Sequence, residues 1–358
     1  MSPQHAWEAP FRADELGRPV PPAFHRLVML DVTRSPTRAD VRRMELALRR
    51  LESRFRHGPD GLLMLVGWGA GYFVRHTDGD SPISRPVALA RGERAVMEDI
   101  DVCIHLASDD EDRLDAVVSA LLGEDELALR APLQLREVRT GFAGTGLPTK
   151  LVGGDIPRDS PLLLGFHSGL RRNQATEAEI TIERGPLAGG TTMHVSRLAL
   201  DLNAWYSLGA ESRAALMYAP TISSSCAATL AEDAPSDFER LPDTARAYGV
   251  VGHAQAAARA RLGGRPRLNR RDFATIDGGI PGTHFVSLQR NLEDFNATRA
   301  VMNAADARQH HPSIGLRRHN GINQFMHVMS RATFAVPVRG NRAYPGRTVK
   351  RGLDEPRP

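Results

Sequence analysis

Apolar positions recur along this chain with two rhythms, a period of two and a period near 3.6. Residues 24–32, FHRLVMLDV, form an apolar run stopped by Ser35-Pro36 and predict a strand. Over 37–57, Val41, Met44, Leu48, Leu51 and Phe55 fall at helical spacing, with Arg and Glu on the other side, and predict an amphipathic helix. Gly58-Pro59-Asp60-Gly61 reads as a turn, and 62–68 as the strand after it. Residues 101–107 alternate as a strand. Helix 108–122 is expected to open on Ser108 as its cap, with acids in its first turn and Leu114, Val117, Val118 and Leu121 on one face. Strand 133–140 closes an order β-α-β-β-α-β, that of a ferredoxin-like split unit.

The second half predicts the same order without any repeat at the level of residues. Strand 191–200 is followed by helix 201–217, strands 267–273 and 283–289, helix 292–302 and strand 332–337. The expected fold class is therefore α+β. Tandem ferredoxin-like halves would form antiparallel sheets with helices on their outer faces, leaving a ligand cavity between the halves or within the second. The corresponding division is a flexible N-terminal arm, 1–23; an N-terminal half, 24–140; a Gly- and Pro-rich connecting loop, 141–190; a C-terminal half, 191–340; and a flexible tail, 341–358. Loops as long as 141–190 and the irregular 221–248 are usually functional or disordered.

Composition narrows the function classes. The chain has 358 residues, 41% hydrophobic and 25% charged, enough for two packed halves. No run of 18 apolar residues exists, so no membrane-spanning helix is expected. Residues 1–24 lack a basic start and an apolar core, so a cytoplasmic location is expected, with export left open by a misassigned start codon. The net charge is +4, almost all of the basic charge being arginine, since lysine occurs only at Lys150 and Lys350. These arginines are scattered and aromatics make up 6%, which argues against a nucleic-acid partner. Cys103 and Cys226 have no metal-ligand spacing and read as free thiols. Gly67-Trp68-Gly69-Ala70-Gly71 lacks the spacing of a dinucleotide loop, and no Walker, HExxH or GxSxG motif occurs.

The informative chemistry is a histidine followed by paired arginines. His253 follows Val251-Gly252, and Leu268-Asn269-Arg270-Arg271-Asp272-Phe273 reads as a strand. A neutral imidazole can ligate haem iron, and a fixed guanidinium can polarise a bound peroxide. On a strand, Arg270 and Asp272 share a face and Arg271 points the other way. By the same alternation His284 opposes Phe285. His105 and His194 read as structural, and His310-His311 as part of a solvated loop.

Several stretches, in order, resemble dye-decolourising-type haem peroxidases. Gly165-Phe166-His167-Ser168-Gly169 is similar to that family's Gly-Phe-x-Asp-Gly loop. Residues 188–205, AGGTTMHVSRLALDLNAW, resemble its Gly-Gly-Thr strand and the following helix. Gly252-His253 and 268–273 resemble the proximal histidine and Leu-Arg-Arg strand, 283–290 the next strand, and 330–337 the last. The resemblance covers roughly 24–340 and implies haem b as cofactor and His253 as axial iron ligand. Arg270 would be the distal catalytic arginine, with Phe285 and Gly169 beside the haem. It also implies hydrogen peroxide and an organic electron donor as partners, one-electron oxidation of that donor, a tendency to homo-oligomerise, and an electron relay at a surface Trp or Tyr such as Trp205.

One departure matters. The family's catalytic aspartate falls at Ser168, whose hydroxyl is a poor base, so weakened peroxidase chemistry is expected. His167 and Asp272 are the neighbours able to move a proton in its place; Asp272 could alternatively only pair with Arg270 and orient it. A second function class stays open on the same fold: a non-catalytic haem-binding or haem-handling protein, for which Ser168 is the main support. A third is a relative that has lost haem.

Overall fold

The computed structural model describes residues 3–15, 19–166, 174–225 and 240–346. Its strands, in chain order, are β1 Arg12–Ala13, β2 Pro19–Val20, β3 Phe24–Val32, β4 Leu63–Gly69, β5 Val96–Met97, β6 Val102–Ser108, β7 Leu133–Phe142, β8 Thr191–Leu200, β9 Asn269–Arg270, β10 Phe273–Thr275, β11 Gly282–Gln289 and β12 Met326–Val336. The helices are α1 Arg38–Arg54, α2 Ala70–His76, α3 Glu111–Leu122, α4 Leu147–Leu151, α5 Leu202–Tyr206, α6 Ala210–Met217, α7 Leu241–Tyr248, α8 His253–Ala258 and α9 Leu292–Met302.

Each half forms a sheet in the ferredoxin-like order. The first runs β7-β3-β6-β4 and the second β12-β8-β11-β10, so in both the fourth strand lies beside the first and the third beside the second. The sequence reading left these as two separate sheets, with a cavity between the halves or within the second. Instead they close edge to edge into one barrel of eight strands. β12 pairs β4 through Phe334↔Gly69 and Ala335↔Trp68, and β10 pairs β7 through Ala274↔Phe142. Closure covers the N–H and C=O groups that four open edges would expose. Glycine makes both seams possible. A Cβ on Gly141 would lie 2.2 Å from the Ala274 carbonyl oxygen, and one on Gly67 2.8 Å from the Phe334 Cβ.

Strands buried on both faces explain the apolar runs. On β3, Val28, Leu30 and Val32 pack against α1 and α3, while Leu27 and Met29 join the barrel interior with Met193, Val195, Val286 and Phe334. α1 starts at a capping box, Thr37 Oγ1 accepting from the Asp40 amide and Asp40 accepting from the Thr37 amide. α3 is capped by Asp110 rather than Ser108, whose hydroxyl donates to the Gly61 carbonyl at 2.8 Å. The expected helix 201–217 breaks into α5 and α6 at Ser207-Leu208-Gly209.

The described parts of the two terminal segments pack against the barrel and its helices. In the expected N-terminal arm, Trp7 is fully buried in the barrel core, and the Gln4 amide bonds to Val66 on β4 and to the Pro337 carbonyl after β12, tying one seam. In the expected tail, Tyr344 packs into the helix core of the first half, and Arg342 is buried against Glu45 and Glu52. Among the described residues, no helix is long and apolar enough to cross a membrane.

Candidate functional site

A cavity of about 250 Å3 lies within the second half, between the outer face of its sheet and helices α6, α8 and α9. His253 stands on the helix side as the first residue of α8. Gly252, the helix N-cap, has to be glycine because a Cβ there would fall 2.1 Å from the Tyr218 carbonyl oxygen at the end of α6. The Gln255 side chain accepts from the Gly252 amide at 3.1 Å and fixes the first turn. Burial, with the charges of Arg270 and Arg299 acting in the same sense, lowers the His253 pKa to about 4. The ring is therefore neutral near pH 7. Among the described residues neither of its nitrogens has a hydrogen-bond partner.

The sheet forms the opposite wall. β9 and β10 both pair β11, with Arg270↔Ser287 and Phe273↔His284, which sets Asp272 opposite Phe285. Across the next two strands Phe285 is level with Ser196, and Ser196 with Arg331. Arg270, Asp272 and Phe285 all line the cavity, as strand alternation predicts. Arg271 points into the barrel, over the Trp7 ring at 4.3 Å and paired with Glu177 at 3.1 Å. His284 also faces inward and donates to Asp277 at 2.8 Å.

Arg270 is held by its backbone. Gln174 Oε1 accepts from the Arg270 amide at 2.7 Å, and Gln174 Nε2 donates to the Arg270 carbonyl at 2.9 Å. Its side chain makes no ion pair among the described residues, and its buried Nε has no partner. The alternative of an Arg270–Asp272 ion pair is not what forms. Asp272 likewise has no ion pair or hydrogen bond among the described residues.

Sequence reasoning gave no role to four further arginines that line the cavity, Arg299, Arg331, Arg261 and Arg267. Arg299 on α9 donates to Asn323 Oδ1 at 3.3 and 3.2 Å, and burial lowers its pKa to about 10. Arg331 on β12 is paired with Glu93 at 2.5 Å and donates to Ser196 Oγ at 2.9 Å. The helical spacing of Phe295, Arg299 and Met302 carried a signal for the first; nothing local marks Glu93 or Gln174. The cavity is thus apolar along most of its surface and rich in guanidinium, with Asp272 as the carboxylate among its described lining residues.

Other expectations resolve case by case. His167, Ser168, Gly169 and Cys226 lie outside the described residues; Phe166, just before the first of these, lines the cavity. Trp205 is not at the surface. It is fully buried and donates to the Leu164 carbonyl at 3.0 Å. His194 stacks on Phe295 with ring centroids 3.5 Å apart, and His311 bonds to Ser313 in its loop. Cys103 is buried and free, its thiol pushed up to about 12 by burial.

The closed pair of ferredoxin-like sheets is a fold seen in dye-decolorizing peroxidases. A dye-decolorizing protein from V. cholerae superposes with a TM-score of 0.63 at 18% identity, covering 91% of this chain and 97% of that one. DyPB from Rhodococcus jostii gives 0.64 at 16%, covering 97% and 100%, and variants of that protein are known in complex with heme. A dye-decolorizing peroxidase from Bacteroides thetaiotaomicron gives 0.61 at 14%, covering 95% and 100%. At these identities the likeness is one of fold. By sequence, the chain belongs to the family of unknown function DUF7405, whose model matches residues 22–338. No curated protein matches it.

Proposed function

We propose that this chain binds haem in the second-half cavity and supports peroxide-dependent one-electron oxidation of an organic donor, at a rate limited by the serine at position 168. The observation that carries this reading is the pairing of His253 with Arg270 across the cavity. Among the described residues, one is a neutral imidazole without a hydrogen-bond partner and the other a guanidinium without an ion pair, on facing walls of an apolar space. Such a wall pair fits haem. The imidazole lone pair suits ferric iron, and the remaining arginines suit carboxylate side arms. When bound, haem would supply an iron centre that accepts peroxide and takes electrons singly from a donor.

The protein groups have separable tasks. His253 would hold the iron, its ring set by the Gly252-capped turn. Arg270 would place fixed positive charge where negative charge develops on oxygen, its position fixed by Gln174. Asp272 is the described carboxylate available to take and return a proton, at its Oδ atoms. Phe285 would pack against the ring plane and exclude water.

A second reading is a haem-binding protein without turnover. Ser168 favours it, since a hydroxyl cannot do the work of a carboxylate base near neutral pH. The deciding experiment is an absorption spectrum of protein expressed with ample haem, for wild type and His253→Ala, followed by addition of peroxide and a dye. The proposal expects a Soret band that is lost or shifted in the variant, and slow turnover in the wild type. A Soret band without turnover leaves the second reading. No Soret band after reconstitution sinks both.

A further inference from the structure

The barrel interior contains polar side chains that the cavity does not use. His5, Trp7, His25, His105 and His284 are buried to 3% exposure or less. Three of them gather around Phe273, on which His25 stacks at 4.5 Å, with His105 at 5.8 Å and His284 at 5.4 Å. His105 also lies 5.0 Å from Trp7, which the Arg271 guanidinium covers. Burial holds all four imidazoles below their ordinary pKa, with His5 at about 4 and His25 at about 3. At neutral pH each ring therefore carries one N–H and one bare lone pair.

The hydrogen bonds decide which nitrogen is which. His25 Nε2 faces the Pro22 carbonyl, an acceptor only, so it donates, and His25 Nδ1 must accept from His105 Nε2 at 3.0 Å. That leaves the lone pair of His105 on Nδ1. Thr181 gives its hydroxyl proton to the Glu177 carbonyl, so its oxygen accepts from His5 Nε2 at 2.8 Å. His284 Nε2 donates to the Asp277 carboxylate. All four rings are thereby fixed as Nε2–H tautomers.

The atoms left over are complementary. The Nδ1 lone pairs of His5, His105 and His284 have no partner, and neither do the N–H groups of Trp7 Nε1 and Arg271 Nη1. We propose that this layer of the barrel is a binding site for one or two water molecules that bridge the Trp7 and Arg271 donors to these histidine lone pairs. The ligand has to both donate and accept, and a buried water typically makes about three such bonds. An anion would meet three lone pairs, and a cation would meet the Arg271 charge. The inference is independent of haem binding.

Two measurements on the wild-type protein test it. Long-range 15N–1H correlation spectra near pH 7 should show His5, His25, His105 and His284 as neutral Nε2–H tautomers. A protonated or Nδ1–H ring at His105 or His284 would overturn the assignment. A high-resolution crystal structure, with a second crystal soaked in bromide, should show water within hydrogen-bond distance of Trp7 Nε1 or Arg271 Nη1 and of a histidine Nδ1. A dry layer, or bromide in place of water, would overturn the site.

Discussion

At the scale of single residues, the proposed chemistry turns on two positions. If a carboxylate is what position 168 lacks, Ser168→Asp should raise peroxide turnover by about 100- to 10,000-fold, the range general acid–base assistance contributes. Steady-state oxidation of a dye by the haem-loaded variant checks this, and an unchanged rate removes position 168 from the mechanism. Asp272 is the complementary case. It lines the cavity free of any ion pair among the described residues, so Asp272→Asn keeps the shape and removes the base. Turnover should fall at least tenfold with the Soret band unchanged. Equal rates for Asp272→Asn and wild type would show that this carboxylate moves no proton.

At the scale of elements, the entry to α8 is the sensitive point. Gly252→Ala would drive a methyl into the Tyr218 carbonyl at 2.1 Å, so either α8 or the end of α6 must shift. A destabilisation of about 1–3 kcal/mol follows from overpacking of this kind, together with weaker haem retention because His253 is the next residue. Thr37→Ala is the control element. It removes the α1 capping box at a cost of about 1 kcal/mol and lies far from the cavity, so haem binding should be untouched. Denaturant midpoints and haem titrations of the two variants separate these effects; equal haem affinity in both would mean that the α8 entry does not set the imidazole. Elements were legible in the sequence wherever one face alternates or repeats at 3.6, as in β3 and α1. The break between α5 and α6 was not, because a helix-compatible run hides a glycine whose role is to start a new turn.

At the scale of the whole molecule, buried neutral histidine is the dominant titrating feature. His5, His25, His105, His194 and His253 are all held below the ordinary imidazole value of 6.5, chiefly by burial. Below that value the unfolded chain takes up protons that the folded chain refuses. Stability is therefore full above pH 6.5 and is lost as pH falls toward about 4, by up to about 1.4 kcal/mol per pH unit for each such histidine. Urea midpoints measured on the haem-free protein at pH 7.5, 6 and 5 should drop progressively; a flat series would contradict neutral burial. Asp277, held at about 2 by its bonds to His284 and Thr140 against the opposing effect of burial, is ionised in both the folded and the unfolded chain at pH 5 and above and adds no slope there.

Since periodicity is a local property of the chain, the sequence by itself determined the order of the main strands and of the helices that repeat at 3.6 in each half, but not α2, α4, α7 or α8. It also determined that Arg270 and Asp272 share one strand face while Arg271 takes the other. Tertiary structure alone decided the rest. Sheet edges are satisfied by whichever partner the fold brings near, so the closure of two sheets into one barrel has no local signature. The same holds for Gln174 gripping Arg270 from 96 residues away, and for Glu93 neutralising Arg331 across the two halves. The cavity sits under the second sheet rather than at the join because closing the barrel filled the join with side chains, leaving the space beneath α6, α8 and α9 open.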